Sequence, residues 1–153
     1  MIRAIEAVTR TCIGVIFICS LLFASEVGEK VNKSSAGVAI KGYDPVAYFE
    51  DRKPVKGDAA YAYQWMGATW RFSSAAHREA FMKDPDRYAP QYGGFCAYGV
   101  SEGHTAPVDP EAWSIVGGKL YLNHDKKVRE DWRKDTDGRI RKADQNWPKL
   151  AGQ

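Results

Sequence analysis

A chain of 153 residues with 27% charged and 44% hydrophobic side chains has room for one self-sufficient core. That composition excludes a disordered chain and a polytopic membrane protein. A net charge of +3 is too small to argue for nucleic acid as a partner, and none is expected.

The N-terminus reads as an address. Thr11 to Ser25 carry no charge, Arg3 and Arg10 precede them, and Ile13, Val15, Ile16, Phe17, Ile18, Leu21, Leu22 and Phe23 make the run apolar. The run is shorter than the roughly 20 residues a spanning helix needs, and a basic start with a short apolar stretch is the layout of a secretory signal. Residues 1–24 are therefore expected to be a signal peptide or N-terminal anchor, and the protein to be exported, periplasmic or secreted. Contact with membrane is expected only through an uncleaved anchor. Removing the segment takes away Cys12 and Cys19 and leaves Cys96 as the single cysteine, which excludes an intramolecular disulfide.

Residues 25–37 are polar and read as a flexible lead-in to a domain over 38–150. Val38 to Phe49 read as a short strand, a turn at Gly42-Tyr43-Asp44-Pro45 and an apolar segment. A hairpin follows: Tyr61, Tyr63 and Trp65 alternate on one arm, Trp70 and Phe72 on the other, around Met66-Gly67-Ala68. Ser73 or Ser74 caps a helix to about Lys83, which Pro85 stops. Tyr92 to Gly99 is a glycine- and ring-rich stretch. A second hairpin spans Trp113 to Leu122 with its turn at Gly117-Gly118. Asp125 caps a helix carrying Val128 and Trp132, Asp137-Gly138 ends it, and Trp147-Pro148 folds the tail back. The architecture expected is α+β: a small antiparallel sheet built from two β-hairpins with packed α-helices, in a single compact domain. Fifteen aromatic rings between Tyr43 and Tyr121 are expected to fill its core.

The chemistry-bearing residues are few. A Cys96 thiolate would be a soft metal ligand or a nucleophile; the plainer reading is a small buried side chain. His77, His104 and His124 each carry an imidazole that can ligate a metal. The spacing fits no structural zinc motif. Asp135, Asp137, Gly138 and Asp144 fall at places of a calcium loop, but Arg133 stands where its first carboxylate belongs, and an Asp-Gly turn explains the segment. The mixed charges of Lys126 to Lys142 read as a solvated face. No nucleophile elbow and no phosphate-binding loop is present.

Taken together, Gly42-Tyr43-Asp44-Pro45-Val46-Ala47-Tyr48-Phe49, Trp70-Arg71-Phe72-Ser73-Ser74 with His77, Phe81, Asp84-Pro85 and Tyr88, and Tyr92-Gly93-Gly94-Phe95-Cys96-Ala97 resemble the YHS domain-containing proteins in their long exported form. The likeness runs from about Val38 to Pro148. Short relatives in metal-handling proteins carry three thiols as presumed ligands; here Ala47 and Ser73 stand at the first two positions and His77 at the third. The resemblance implies a hairpin followed by a helix. The leading functional expectation is an exported, non-enzymatic binding module for a soft transition metal such as copper, held by Cys96 with His77 or His104. The alternatives are a thiol-dependent redox enzyme using Cys96 and a structural or protein-interaction domain without a metal site. The expected partner is a metal ion or another exported protein.

Overall fold

The computed structural model describes residues 30–152, so the expected signal segment lies outside the described residues. The fold is α+β, with the two hairpins where the ring alternation put them. In the first, β1 (Asp58–Trp65) pairs antiparallel with β2 (Ala68–Phe72). In the second, β3 (Asp109–Val116) pairs with β4 (Lys119–Asn123). Both arms close through two residues at positive φ, Met66 and Gly67 in one and Gly117 and Gly118 in the other. That geometry matches the twist of paired strands. Among the described residues the hairpins form two separate two-stranded sheets, where the sequence reading had joined them in one sheet. Their side chains meet in a common core instead of their edges meeting through hydrogen bonds.

Helices fill the rest: α1 (Ala47–Glu50), α2 (Ala75–Lys83), α3 (Pro85–Tyr88), α4 (Ala97–Ser101), α5 (Lys126–Arg133) and α6 (Thr136–Leu150). Short polar side chains start most of them. Ser74, Asp84, Asp125 and Asp135 each accept a backbone N–H in the first turn that no carbonyl of the helix can reach.

Three expectations are corrected. The strand expected at Val38 is reduced to a single parallel bridge to Thr69, because the chain turns at once into a 3-10 segment, Ile40–Gly42. The lead-in expected over 25–37 joins the fold from Val31 onward: Val31 is buried, the Asn32 N–H donates to the Gly93 carbonyl, and Lys33 bridges Ala39. The Asp137-Gly138 pair does not end a helix. Asp135 accepts from the Gly138 N–H at 3.1 Å and opens α6, which carries Trp147 back against Tyr92 and Phe95.

Two clusters make up the core. The larger is built on β1, β2 and α2, with Phe81 ringed by Trp70, Phe72, Trp65 and Tyr63 at centroid separations of 5.1 to 6.3 Å. Val108, Leu120 and Leu122 of the second half complete it. The smaller holds Tyr92, Phe95, Tyr121 and Trp132 under α6. Phe95, Cys96 and Ala97 run from one cluster into the other, with Cys96 in the larger and its neighbours in the smaller.

Candidate functional site

The three histidines fall in two places. His77 lies in the first turn of α2, and its Nδ1 is 2.6 Å from Oδ2 of Asp44, a fully buried carboxylate. The same oxygen accepts from the Ser73 N–H at 2.8 Å and from its hydroxyl at 2.7 Å. The other oxygen accepts from the N–H groups of Val46 and Ala47 at 2.8 and 3.3 Å. Five donors thus converge on one carboxylate, which ties the start of α1 to the start of α2. Facing a carboxylate, His77 donates from Nδ1, and Nε2 is the ring nitrogen that Asp44 leaves unengaged. The set is not a hydrolytic triad. Ser73 sits beside Nδ1, the same ring nitrogen that faces Asp44, whereas a general base needs its serine on the far nitrogen.

Ala47, Ser73 and His77, separated by up to 30 positions in the chain, therefore meet around Asp44. A soft metal does not fit them. Ala47 offers a methyl group, the Ser73 hydroxyl is spent on Asp44, and only one imidazole nitrogen remains.

Cys96 occupies a different site. It is 2% exposed and stands at the N-cap of α4. Its Sγ accepts from the Gly99 N–H at 3.4 Å and donates toward Oδ1 of Asn123 at 3.7 Å. The glycine- and ring-rich stretch thus opens a short helix, with sulfur in the capping role usually taken by Ser or Asp. Burial pushes the thiol pKa up, and the N–H groups of Gly99, His124 and Tyr98 offset that only in part. A thiol held up in this way stays protonated at neutral pH, which is the opposite of an activated nucleophile.

A cavity of about 240 Å³ opens beside it, lined by Cys96, His104 and His124 with Tyr98, Gly99, Ala106 and Val128. The loop after α4 returns His104 to this place by donating its N–H to the Gly99 carbonyl at 3.1 Å. Gly99 lies between thiol and imidazole, and a Cβ there would stand 3.3 Å from Nε2 of His104. His124 follows β4 and donates Nδ1–H to the Pro107 carbonyl at 3.0 Å, so Nε2 is the ring nitrogen left to meet a ligand. Of the expected ligands, Cys96 and His104 are thus brought to one cavity, and His77 does not line it. His124 was weighed only as one histidine among three, and its position just after the second hairpin was the signal available. Asn123 and Asp44 were missed, since a buried acceptor is set by long-range contacts. Among the described residues no three His, Cys, Asp or Glu side chains are grouped closely enough to hold a metal ion.

An α+β domain of paired hairpins with a helix after each is the class these elements define. Residues 46–92 match the family model of the YHS domain. The match takes in β1, β2 and α2 with Ala47, Ser73 and His77, and stops short of Cys96. No curated protein and no solved structure matches the chain.

Proposed function

We propose that this protein is an exported YHS-type binding module that takes a soft, low-coordinate transition ion, copper(I), at the Cys96 thiolate with His104 as its second ligand. The observation that carries this reading is the shared cavity: the single thiol of the domain and two imidazoles from separate loops line the same 240 Å³ space. One thiolate and one imidazole suit the two-coordinate preference of Cu(I), whereas a structural zinc site needs four ligands. His124 stands by as an alternative nitrogen, oriented by Pro107. The raised thiol pKa is compatible with this role, because a coordinating metal displaces the thiol proton outright. The apolar run at residues 11–25 supports export, and among the described residues no helix is long and apolar enough to cross a membrane.

A second reading rests on the cap geometry. Both hydrogen-bonding capacities of Sγ are used within the fold, as expected of a structural side chain. A competitive Cu(I) titration under reducing conditions separates the two. One-to-one binding that is lost in Cys96→Ser and weakened in His104→Ala supports the metal site. Absence of binding in the unmodified protein overturns it and leaves Cys96 as the cap of α4.

A further inference from the structure

The first hairpin leaves one edge unguarded. β2 is occupied on both sides: it pairs with β1, and Thr69 donates its N–H to the Gly37 carbonyl at 2.8 Å and accepts from the Ala39 N–H at 2.9 Å. Among the described residues β1 pairs with β2 alone. Gln64 stands opposite Thr69, whose backbone groups turn away from β1, so the N–H and C=O of Gln64 turn away from β2. Ala62, two residues earlier and opposite Arg71, presents its backbone the same way. Ala60 does not extend this row, because its N–H is held by Oδ1 of Asp58 at 2.8 Å. Charges and proline are the usual devices against strand addition, and Ala59 to Trp70 hold neither. β3, in contrast, carries Asp109, Pro110 and Glu111. The irregular pairing between Asp58 and Ala62 protects only the start of β1. Beyond it Gln64 is exposed, Ala62 is half-buried, and Tyr61, Tyr63 and Trp65 face the core while staying partly uncovered.

We infer that β1 is a dimer interface: it pairs antiparallel with the β1 of a second copy, and the two hairpins become one four-stranded sheet about a two-fold axis. The strand itself selects this occupant. With Tyr63 on the axis, Ala62 of each copy lies opposite Gln64 of the other, and these bare residues exchange both hydrogen bonds on either side of the axis. The same register sets Tyr61 opposite Trp65 and Tyr63 opposite its own copy, so partly uncovered rings meet rings on one face of the sheet. The contact is self-complementary, as a two-fold interface requires, and no like charges oppose each other in the paired stretch. None of these residues lines the Cys96 cavity, so the inference is independent of copper binding.

The test is sedimentation equilibrium of the full-length protein in a density-matched non-ionic detergent, with Gln64→Pro beside it. Proline at this position removes the outward N–H and spares the hydrogen bonds of the hairpin itself. A reversible dimer is expected, with Gln64→Pro raising its Kd by at least about tenfold. Cross-linking gives a second reading that needs no proline. In a Cys12→Ser/Cys19→Ser background, Ala62→Cys chains are mixed with Gln64→Cys chains and oxidised with diamide; Cys96 is buried. A covalent dimer is expected in the mixture and not in either variant alone, because position 62 faces position 64 across the axis and neither faces itself. Any of four results overturns the inference: a monomer at all concentrations, a dimer whose Kd is unchanged in Gln64→Pro, no cross-link in the mixture, or equal cross-linking in the mixture and in the single variants.

Discussion

Asp44 is the residue on which most local order depends, because its two oxygens serve five donors while it is fully buried. Asp44→Ala would strand three backbone N–H groups as well as Ser73 and His77. It is expected to lower unfolding free energy in urea by about 3 kcal/mol or more, since each unsatisfied buried donor costs about 1 to 3 kcal/mol. His77→Ala removes only one of the five and should cost about 1 kcal/mol. Equal losses in the two variants would contradict the view that the carboxylate, not the imidazole, organises the cluster. Cys96 sets a second residue-scale expectation, in pH. Its pKa in the folded chain is raised above the ordinary value of 9.0, chiefly by burial. Above the unfolded pKa the unfolded chain has released the proton and the folded chain still holds it, so the unfolded state binds fewer protons and stability falls as pH rises. The contribution is complete below about pH 8.5 and is lost through the folded pKa above it. Tyr48 and Tyr92, raised mainly by desolvation from 10.0, add the same sign of loss above about pH 10. Urea midpoints measured from pH 7 to 11 should therefore be level, then decline, with the first part of the decline absent in Cys96→Ser.

At the scale of elements, α6 turns on a glycine. Gly138 lies in its first turn, and a Cβ there would sit 2.2 Å from Oδ2 of Asp135, the side chain that caps the helix. Helix propensity alone makes Gly→Ala stabilising by about 1 kcal/mol. Here the substitution should instead destabilise by about 1 kcal/mol, because the cap must leave. In an Asp135→Ala background the sign should reverse, and thermal unfolding of the four proteins of the cycle measures it. The same pair marks the limit of what the sequence discloses. The hairpins were legible because alternating rings and a glycine-bearing turn are signals within ten residues of each other. The capped starts of α2 and α5 were legible for the same reason. Asp137-Gly138, in contrast, suits the end of one helix as well as the first turn of the next, and here Asp135, two residues before the pair, caps the second. That second helix also depends on Trp147 meeting Tyr92 and Phe95 across the molecule, a contact that no local signal discloses. The candidate site shows the same division. Cys96 and His104 were named from their chemistry and eight-residue separation, but their common cavity also needs Gly99 to leave room and β4 to deliver His124.

For the whole molecule, the family match and the folding unit do not coincide. Residues 46–92 hold both strands of the first hairpin and α2, yet the core they build is closed by Val108, Leu120 and Leu122. Tyr48 donates its hydroxyl to the Pro110 carbonyl at 2.9 Å and packs on Trp113 at 5.5 Å, so α1 also depends on the second hairpin. Cutting the chain at Tyr92 would remove these partners and expose Phe72, Phe81 and Trp70 on one side. Losing even one fully buried leucine side chain costs about 2 to 5 kcal/mol, and a domain of this size has about 5 to 15 kcal/mol in all. A fragment of residues 30–92 is therefore expected to be unfolded alone, with collapsed amide dispersion in its NMR spectrum and no near-ultraviolet circular dichroism. Mixed with residues 93–153 it should regain both, because the contacts that close the core are side-chain contacts between the pieces and need no peptide bond at Tyr92. Independent folding of residues 30–92 would mean that the first hairpin and α2 bury enough surface by themselves. The second half, with Cys96 and its cavity, would then be an addition to the matched segment and not part of its core. Leu122→Ala in the intact chain decides the same question without cutting it. In a shared core its unfolding curves by tryptophan fluorescence and by far-ultraviolet dichroism shift together; in separable halves they part, with the first hairpin melting at its unmodified midpoint.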